Sequence, residues 1–159
     1  MIKLPKFTTQ SMYDSETDFN LQMNTERISK LLIHYEIFKK IIKVKGDIVE
    51  CGIFKGTSFV RLGVLRELFK KKCKLIGFDV FADEYPNTNF INEQKHRDHW
   101  VKTAGHSSIS EKQLKTVFNK KNIGNFKLIK GDVLKTIPEF VKKNKKMKIS
   151  FLNIDLAFV

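Results

Sequence analysis

The chain is short of cysteine, arginine and long apolar runs, and each shortage excludes something. Cys51 and Cys73 are the only cysteines in 159 residues. Two scattered cysteines make no disulfide framework, so a reducing, cytoplasmic setting is expected. No apolar stretch approaches the ~18 residues of a membrane span. The start, Met1-Ile2-Lys3-Leu4-Pro5-Lys6, lacks the apolar core of a secretory signal. Only four of the 30 basic residues are arginine: Arg27, Arg61, Arg66 and Arg97. Bidentate recognition of phosphates and bases favours arginine, and no aromatic residues interleave the lysines as in RNA-binding motifs. The net charge of +13 is therefore read first as solvated lysine, with no membrane or nucleic-acid partner expected. Lysine clusters at 70–74 and 142–148 keep a polyanion-binding reading open.

What is present is a core. Hydrophobic residues make up 42% of the chain, including 14 Phe. That argues against disorder, and the length suits one domain burying about two thirds of its unfolded surface.

The most informative stretch is 47–58, Asp-Ile-Val-Glu-Cys-Gly-Ile-Phe-Lys-Gly-Thr-Ser. An apolar run ends on Glu50, Gly52 and Gly56 follow, and Thr57 and Ser58 open a segment of helical period. This reads as strand, glycine turn and helix start, the geometry that seats a nucleotide-like ligand on a βα turn. The glycines would let backbone approach a ligand closely. The helix start offers unpaired N–H groups and partial positive charge, which suits a carboxylate. A phosphate-binding P-loop needs a lysine after its last glycine, and Thr57 stands there. A dinucleotide fingerprint needs glycines where this loop has Phe54 and Thr57. What fits is acidic-x-Gly-x-x-x-Gly, the pattern of S-adenosylmethionine sites.

Along the chain, 1–22 shows little periodicity and reads as an extended leader. Residues 25–44 form an amphipathic helix through Ile28, Leu31, Tyr35, Phe38 and Ile42, capped by Asn24 or Thr25 and stopped by Gly46. Strands are expected at 47–51, 74–80, 125–130 and 148–156, with a helix at 57–71. A short helix at 137–143 would hold Pro138 in its first turn. Residues 81–124 are too long for a plain connection and read as a helical insertion or lid, with a turn-rich start and helices near 90–104 and 110–121. Ser110 and Gln113 make a capping box for the second of these. Alternating strands and helices predict an α/β fold with a right-handed parallel sheet.

Each strand ends on, or one residue past, an acid: Glu50, Asp79, Asp132 and Asp155. In a parallel sheet these ends share one edge, where ligands bind. Asp79 would accept from ribose hydroxyls and Asp132 from the adenine amino group, with Val133 packing on the ring. Glu50 would organise the glycine turn or meet the ligand ammonium. His96 and His99 lie three apart, and surface exposure is the better reading than metal binding. Cys51 reads as a small core residue.

The runs Gly46-Asp47-Ile48-Val49-Glu50-Cys51-Gly52, Phe54-Lys55-Gly56 and Ile76-Gly77-Phe78-Asp79 resemble class I S-adenosylmethionine-dependent methyltransferases. Pro86-Asn87-Thr88-Asn89-Phe90, Arg97-Asp98 and Leu128-Ile129-Lys130-Gly131-Asp132 add a likeness to the macrocin (TylF-type) sugar O-methyltransferases. The resemblance implies a Rossmann-like sheet of strand order 3-2-1-4 and methyl transfer to a hydroxyl of a sugar or sugar-bearing metabolite, usually with Mg2+. It places the cofactor on Gly52, Gly56, Ser58, Asp79 and Asp132, with Asp155 as base and metal ligand; Thr57 and Gly131, beside these, are expected to join the cofactor site. Family members read His-Ile-Asp-x-Asp after strand four and continue beyond it. Here Asn153 and Ala157 replace the histidine and the second acid, and the later strands and metal acids have no counterpart. Strand four is thereby expected at an apolar edge of the sheet. That edge predicts a truncated chain, or one completed by a partner strand or a second copy. The competing expectation is a non-catalytic basic module binding RNA or another acidic partner.

Overall fold

Four short apolar runs pair in parallel into one sheet: β1 (Asp47–Cys51), β2 (Leu75–Asp79), β3 (Phe126–Lys130) and β4 (Ile149–Ile154). Their order is β3-β2-β1-β4, as the resemblance implies. The computed structural model describes residues 2–82 and 91–156. The Pro86-Asn87-Thr88-Asn89-Phe90 motif and Ala157, Phe158 and Val159 lie outside the described residues. Register keeps the carboxyl ends of the strands level, with Cys51 opposite both Phe78 and Ile154, and Asp79 opposite Lys130.

The strand period of two divides the core between the sheet faces. Ile48 and Leu75 belong to one cluster with Phe38, Phe59, Leu62, Leu114 and Phe118. These come from α2 (Thr25–Ile41), α3 (Thr57–Leu68) and α5 (Glu111–Lys120). Val49, Cys51, Ile76 and Phe78 form the other cluster with Phe140 of α6 (Val133–Lys143). Each fully buried Phe or Leu contributes about 1.5–3 kcal/mol. α6 shields the β1–β2 side of its face but leaves Leu152 and Ile154 of β4 48% and 65% exposed.

Asn24 caps α2 by accepting the Arg27 N–H at 3.0 Å. Ser110 and Gln113 form the expected capping box of α5. Two expectations differ from what is found. Residues 9–22, read as part of an extended leader, form helix α1 (Thr9–Gln22), started by a Thr8–Ser11 capping box. It buries none of its residues, and of its apolar residues Met12, Tyr13, Phe19 and Leu21 only Met12 and Phe19 share a face, too few for periodicity to find it. The residues before it do dock, with Ile2, Leu4 and Phe7 packed on the core. The last helix begins at Val133 rather than 137, because Asp132 caps it by accepting the Leu134 N–H at 2.9 Å. Pro138 therefore lies inside the helix and forfeits one bond to the preceding turn. Between β2 and β3 stand α4 (Ile91–Ala104) and α5, in place of a plain connection. Among the described residues no helix is long and apolar enough to cross a membrane.

Candidate active site

The loop after β1 is held from below. Ile53 and Phe54 donate their backbone N–H groups to Asp79 Oδ2 at 2.6 and 2.9 Å. Phe81 N–H reaches Oδ1 at 2.9 Å. A carboxylate has about four acceptor positions, so Asp79, only 6% exposed, has one left for any ribose hydroxyl. Its local work is to clamp the turn that carries Phe54 at φ +51°.

The two loop glycines differ in purpose. A Cβ on Gly52 would come within 2.2 Å of the Asp155 carbonyl oxygen, so Gly52 admits the end of β4 rather than a ligand. Gly56 stands at the N-cap of α3 with φ +82° and ψ 0° and offers no side-chain cap. The first-turn N–H groups of α3 are thereby left to solvent or an incoming anion. From the insertion, Ile109 N–H donates to the Phe54 carbonyl at 2.8 Å, and Lys55 Nζ donates to the Ala104 carbonyl.

Directly behind Ser58 lies Glu50, fully buried. Ser58 Oγ donates to Glu50 Oε1, while Oε2 is buried with no hydrogen-bond partner. Asn153 stands opposite Glu50 in the β1–β4 register, and its amide Nδ2 is likewise buried and unpartnered. Burial pushes the Glu50 carboxyl up to about 8 and the Asp155 charge adds to this, against opposing pulls from Ser58, the nearby Asn153 amide and Lys30. At neutral pH Glu50 mostly holds its proton.

Above this pair a cleft of about 400 Å3 opens between α2, the glycine loop, α3, α4 and the end of β4. Gly52, Thr57, Ser58 and Asp155 line it, and Phe54 and Trp100, with ring centroids 4.2 Å apart, form its aromatic wall. Arg27, Lys30, Lys55 and Arg61 line it as well. Lys30 Nζ lies 2.7 Å from Asp155 Oδ2. Both groups are about half exposed, so the pair orients Asp155 more than it stabilises the fold. Arg61 Nη1 lies 3.4 Å from His34 Nδ1. Burial first, then Arg61 and Lys30, lower the His34 pKa despite Asp155, and burial lowers that of Arg61.

The structure thus brings Gly52, Thr57, Ser58 and Asp155 into one cleft, with Glu50 behind Ser58 and Gly56 at the head of α3. Gly131, Asp132 and Val133 do not line it. Gly131 N–H bonds the Asp79 carbonyl at 2.9 Å, Asp132 is the α6 cap, and Val133 packs beside the second core cluster. The sequence reading missed Arg27, Lys30, His34 and Arg61. A signal existed: Arg27, Lys30 and His34 continue the inward α2 stripe of Phe38 and Ile41 at spacings of three and four.

The cleft fits the amino-acid end of S-adenosylmethionine. Uncapped N–H groups suit its carboxylate. Mg2+ is another matter. It needs about six oxygens in near-octahedral array, Asp155 is the only carboxylate among the described lining residues, and Lys30 already holds it. No group of three potential ligands occurs among the described residues, and His96 and His99 are exposed on α4. These residues do not fit the metal.

Larger hollows elsewhere lack such convergence, among them one of about 570 Å3 beside Arg66, Lys71 and Asn125. One of about 520 Å3 lies at the opposite end of the sheet among Lys74, Lys127, Lys142, Lys143, Lys145 and Lys146. Another of about 610 Å3 lies between the N-terminal segment and α3.

A parallel 3-2-1-4 sheet with a glycine loop between β1 and α3 and the cleft above it defines the Rossmann-like methyltransferase fold. No protein-family model matches the chain, and no curated protein matches it. Solved structures of this fold do. The calicheamicin methyltransferase CalS11 superposes with a TM-score of 0.67 at 20% identity, covering 92% of this chain and 61% of its own. The apo form of CalS11, described as a TDP-rhamnose 3′-O-methyltransferase, gives 0.58 at 19% identity over 95% and 59%. The O-methyltransferase NovP gives 0.64 at 16% identity over 80% and 53%. The chain therefore spans roughly three fifths or less of the neighbours it matches.

Proposed function

We propose that the chain carries the cofactor half of an O-methyltransferase that moves a methyl group from S-adenosylmethionine to a hydroxyl of a sugar or sugar-bearing metabolite. One observation carries the reading: the glycine loop, the uncapped start of α3 and the Asp155 carboxylate open onto one cleft on the fold of sugar O-methyltransferases. When bound, the cofactor supplies an electrophilic methyl on a sulfonium. Thr57 and Ser58 N–H groups receive its carboxylate, and Gly56, left-handed at the N-cap, makes the turn that presents them. Glu50, buried behind Ser58 and mostly protonated, organises the glycine turn. Asp79 holds Ile53 and Phe54 in place and offers its remaining acceptor position to a ribose hydroxyl. Gly131, Asp132 and Val133 complete the adenine side. Asp155, oriented by Lys30, accepts the proton of the attacking hydroxyl. Trp100, Thr103 and Ala104 of α4 make the insertion the wall that excludes water. Well-oriented reactants of this kind gain about 7–11 kcal/mol. Both cysteines are free, which suits a cytoplasmic setting, and a partner or second copy covers the β4 edge.

A second reading is a basic module for RNA or another acidic partner, favoured by the lysine-lined hollow at the far end of the sheet. Calorimetric titration with S-adenosylhomocysteine at low and moderate salt separates the two. Micromolar binding that changes little with salt supports methyl transfer. Absence of binding by a folded chain refutes it, and polyanion affinity falling steeply with salt supports the alternative. Asp79→Ala should abolish cofactor binding and leave polyanion binding intact.

A further inference from the structure

We propose that the end of the sheet opposite the cleft docks on an anionic phospholipid bilayer, with its lysines over the headgroup phosphates and its exposed aliphatic side chains in the interface. This surface is separate from the cleft, and its docking does not depend on the methyl-transfer reading.

The net charge of +13 reads as solvated lysine until the fold gathers it. In a parallel sheet all strands start at one end, and the connecting helices return their C-termini to it. Hydrogen bonds fix that end here: Asp47 N–H donates to the Lys148 carbonyl at 2.8 Å, Ile48 N–H to that of Lys74 at 2.9 Å, and Leu75 N–H to that of Asn125 at 3.1 Å. Lys74, Lys127 and Lys148 stand exposed at the starts of β2, β3 and β4. The end of α6 and the turn after it add Lys142, Lys143, Lys145 and Lys146, and the turns after α2 and α3 add Lys43, Lys45 and Lys72, all exposed. Lysine at a helix C-terminus is ordinary, because it meets the negative end of the helix dipole. Lysine at strand starts has no such reason, since a sheet has little net dipole. The hollows of about 520 and 570 Å3 at this end share Asp47 and Lys74, so the basic surface is continuous. The acids that line it are spent inward. Asp47 accepts the Lys74 backbone N–H at 2.8 Å, and Glu67 pairs with Arg66 at 2.6 Å. Among the described residues none of the exposed lysines of this end forms an ion pair.

Charge calls for an anion, and the neighbouring side chains select its class. Single-stranded RNA asks for exposed aromatic faces on which bases stack, and bidentate readout asks for arginine. Phe140, the aromatic residue lining these hollows, is buried with Lys127 Nζ over its ring at 5.4 Å. Arg66, the arginine lining them, is buried and gives its N–H groups to the carbonyls of Cys73, Gly124 and Asn125. What stands exposed beside the lysines is aliphatic: Val44, Leu68, Val141 and Ile149. The Val44 carbonyl accepts from Lys71 Nζ, and Ile149 lies opposite Asp47 in the register. Lysine over phosphate, with aliphatic side chains at the boundary, suits peripheral contact with an anionic bilayer. The cleft, at the carboxyl ends of the strands, then opens away from the bilayer and stays accessible from water.

The test is co-flotation of the whole chain with vesicles of phosphatidylcholine and phosphatidylserine in equal parts, against phosphatidylcholine alone, at low and moderate salt. We expect binding to the anionic vesicles only, weakening as salt rises. Lys142→Gln with Lys145→Gln should lower that affinity about tenfold. Lys95→Gln with Lys102→Gln, exposed on α4 at the cleft end, removes the same charge and should leave it unaltered. Val44→Ser with Ile149→Ser should lower it by a factor that salt does not change. All these positions are exposed, so each variant should keep the circular dichroism spectrum of the unaltered chain. The proposal is overturned if the anionic vesicles do not bind at low salt, or if the α4 pair weakens binding as much as the α6 pair. It is also overturned if the aliphatic changes have no effect. Binding of a single-stranded RNA that the Lys142 and Lys145 changes weaken, with vesicles left unbound, would overturn it in favour of a nucleic-acid face.

Discussion

Glu50 is the residue where local chemistry departs furthest from what its type suggests. A strand-end glutamate in water ionises near 4.5, yet here it is raised to about 8 by burial. Between those two values the folded chain holds a proton that the unfolded chain has released. Stability contributed by this group is therefore full below about 4.5 and falls as pH rises through about 8, at no more than about 1.4 kcal/mol per pH unit. Glu50→Gln, which imitates the protonated form, should flatten the fall of melting temperature over this window and raise it at pH 8. An unchanged pH profile in the variant would show that Glu50 is ionised in the fold. Asp79 shows the opposite case. Its acid type and strand-end position were legible in the sequence, but not that three backbone N–H groups of the loop and following turn would claim its oxygens.

At the scale of elements, the head of α3 decides whether the cleft can form. Gly56 takes φ +82°, a left-handed conformation that costs an L-residue roughly 1–2 kcal/mol. A Cβ there would meet Ile109 and Leu114 at 3.4 and 3.5 Å, ordinary contact distances. Gly56→Ala should therefore destabilise the chain by about 1–2 kcal/mol without a packing clash, as measured by urea denaturation. A much larger loss would mean that the loop cannot keep this backbone. The helices were legible where period and caps agreed, as in α2 and α5. They were not where one signal stood alone. α1 has a cap but no apolar stripe, and α6 has a Pro138 that points to a later start than the Asp132 cap allows.

For the molecule as a whole, the sheet is covered unevenly. α2 lies against β4 on one face, where His34 meets Phe151 edge-on at 6.4 Å. On the other, Leu152 and Ile154 remain 48% and 65% exposed beside an edge that pairs with no other strand among the described residues. Such edges promote association. Leu152→Lys with Ile154→Lys should raise the soluble fraction and lower light scattering with the circular dichroism spectrum kept. Unchanged scattering would place the sticky surface elsewhere, the exposed Met12, Tyr13 and Leu21 of α1 being the next candidates.

The sequence by itself determined the parallel α/β architecture, the glycine loop, and the acids at or just past the strand ends. These follow from short-range rules: apolar period, turn residues and caps act within a few positions of one another. Tertiary structure alone decided which acids face a cleft and which are consumed by backbone. It sent Asp155 to the opening, Asp79 under the loop, Asp132 to a helix cap and Glu50 into the interior. It also brought Arg27, Lys30 and Arg61 to Asp155. The reason is that hydrogen-bond partners and desolvation are set by neighbours in space: Lys30 and Asp155 are 125 positions apart in sequence and 2.7 Å apart in the fold.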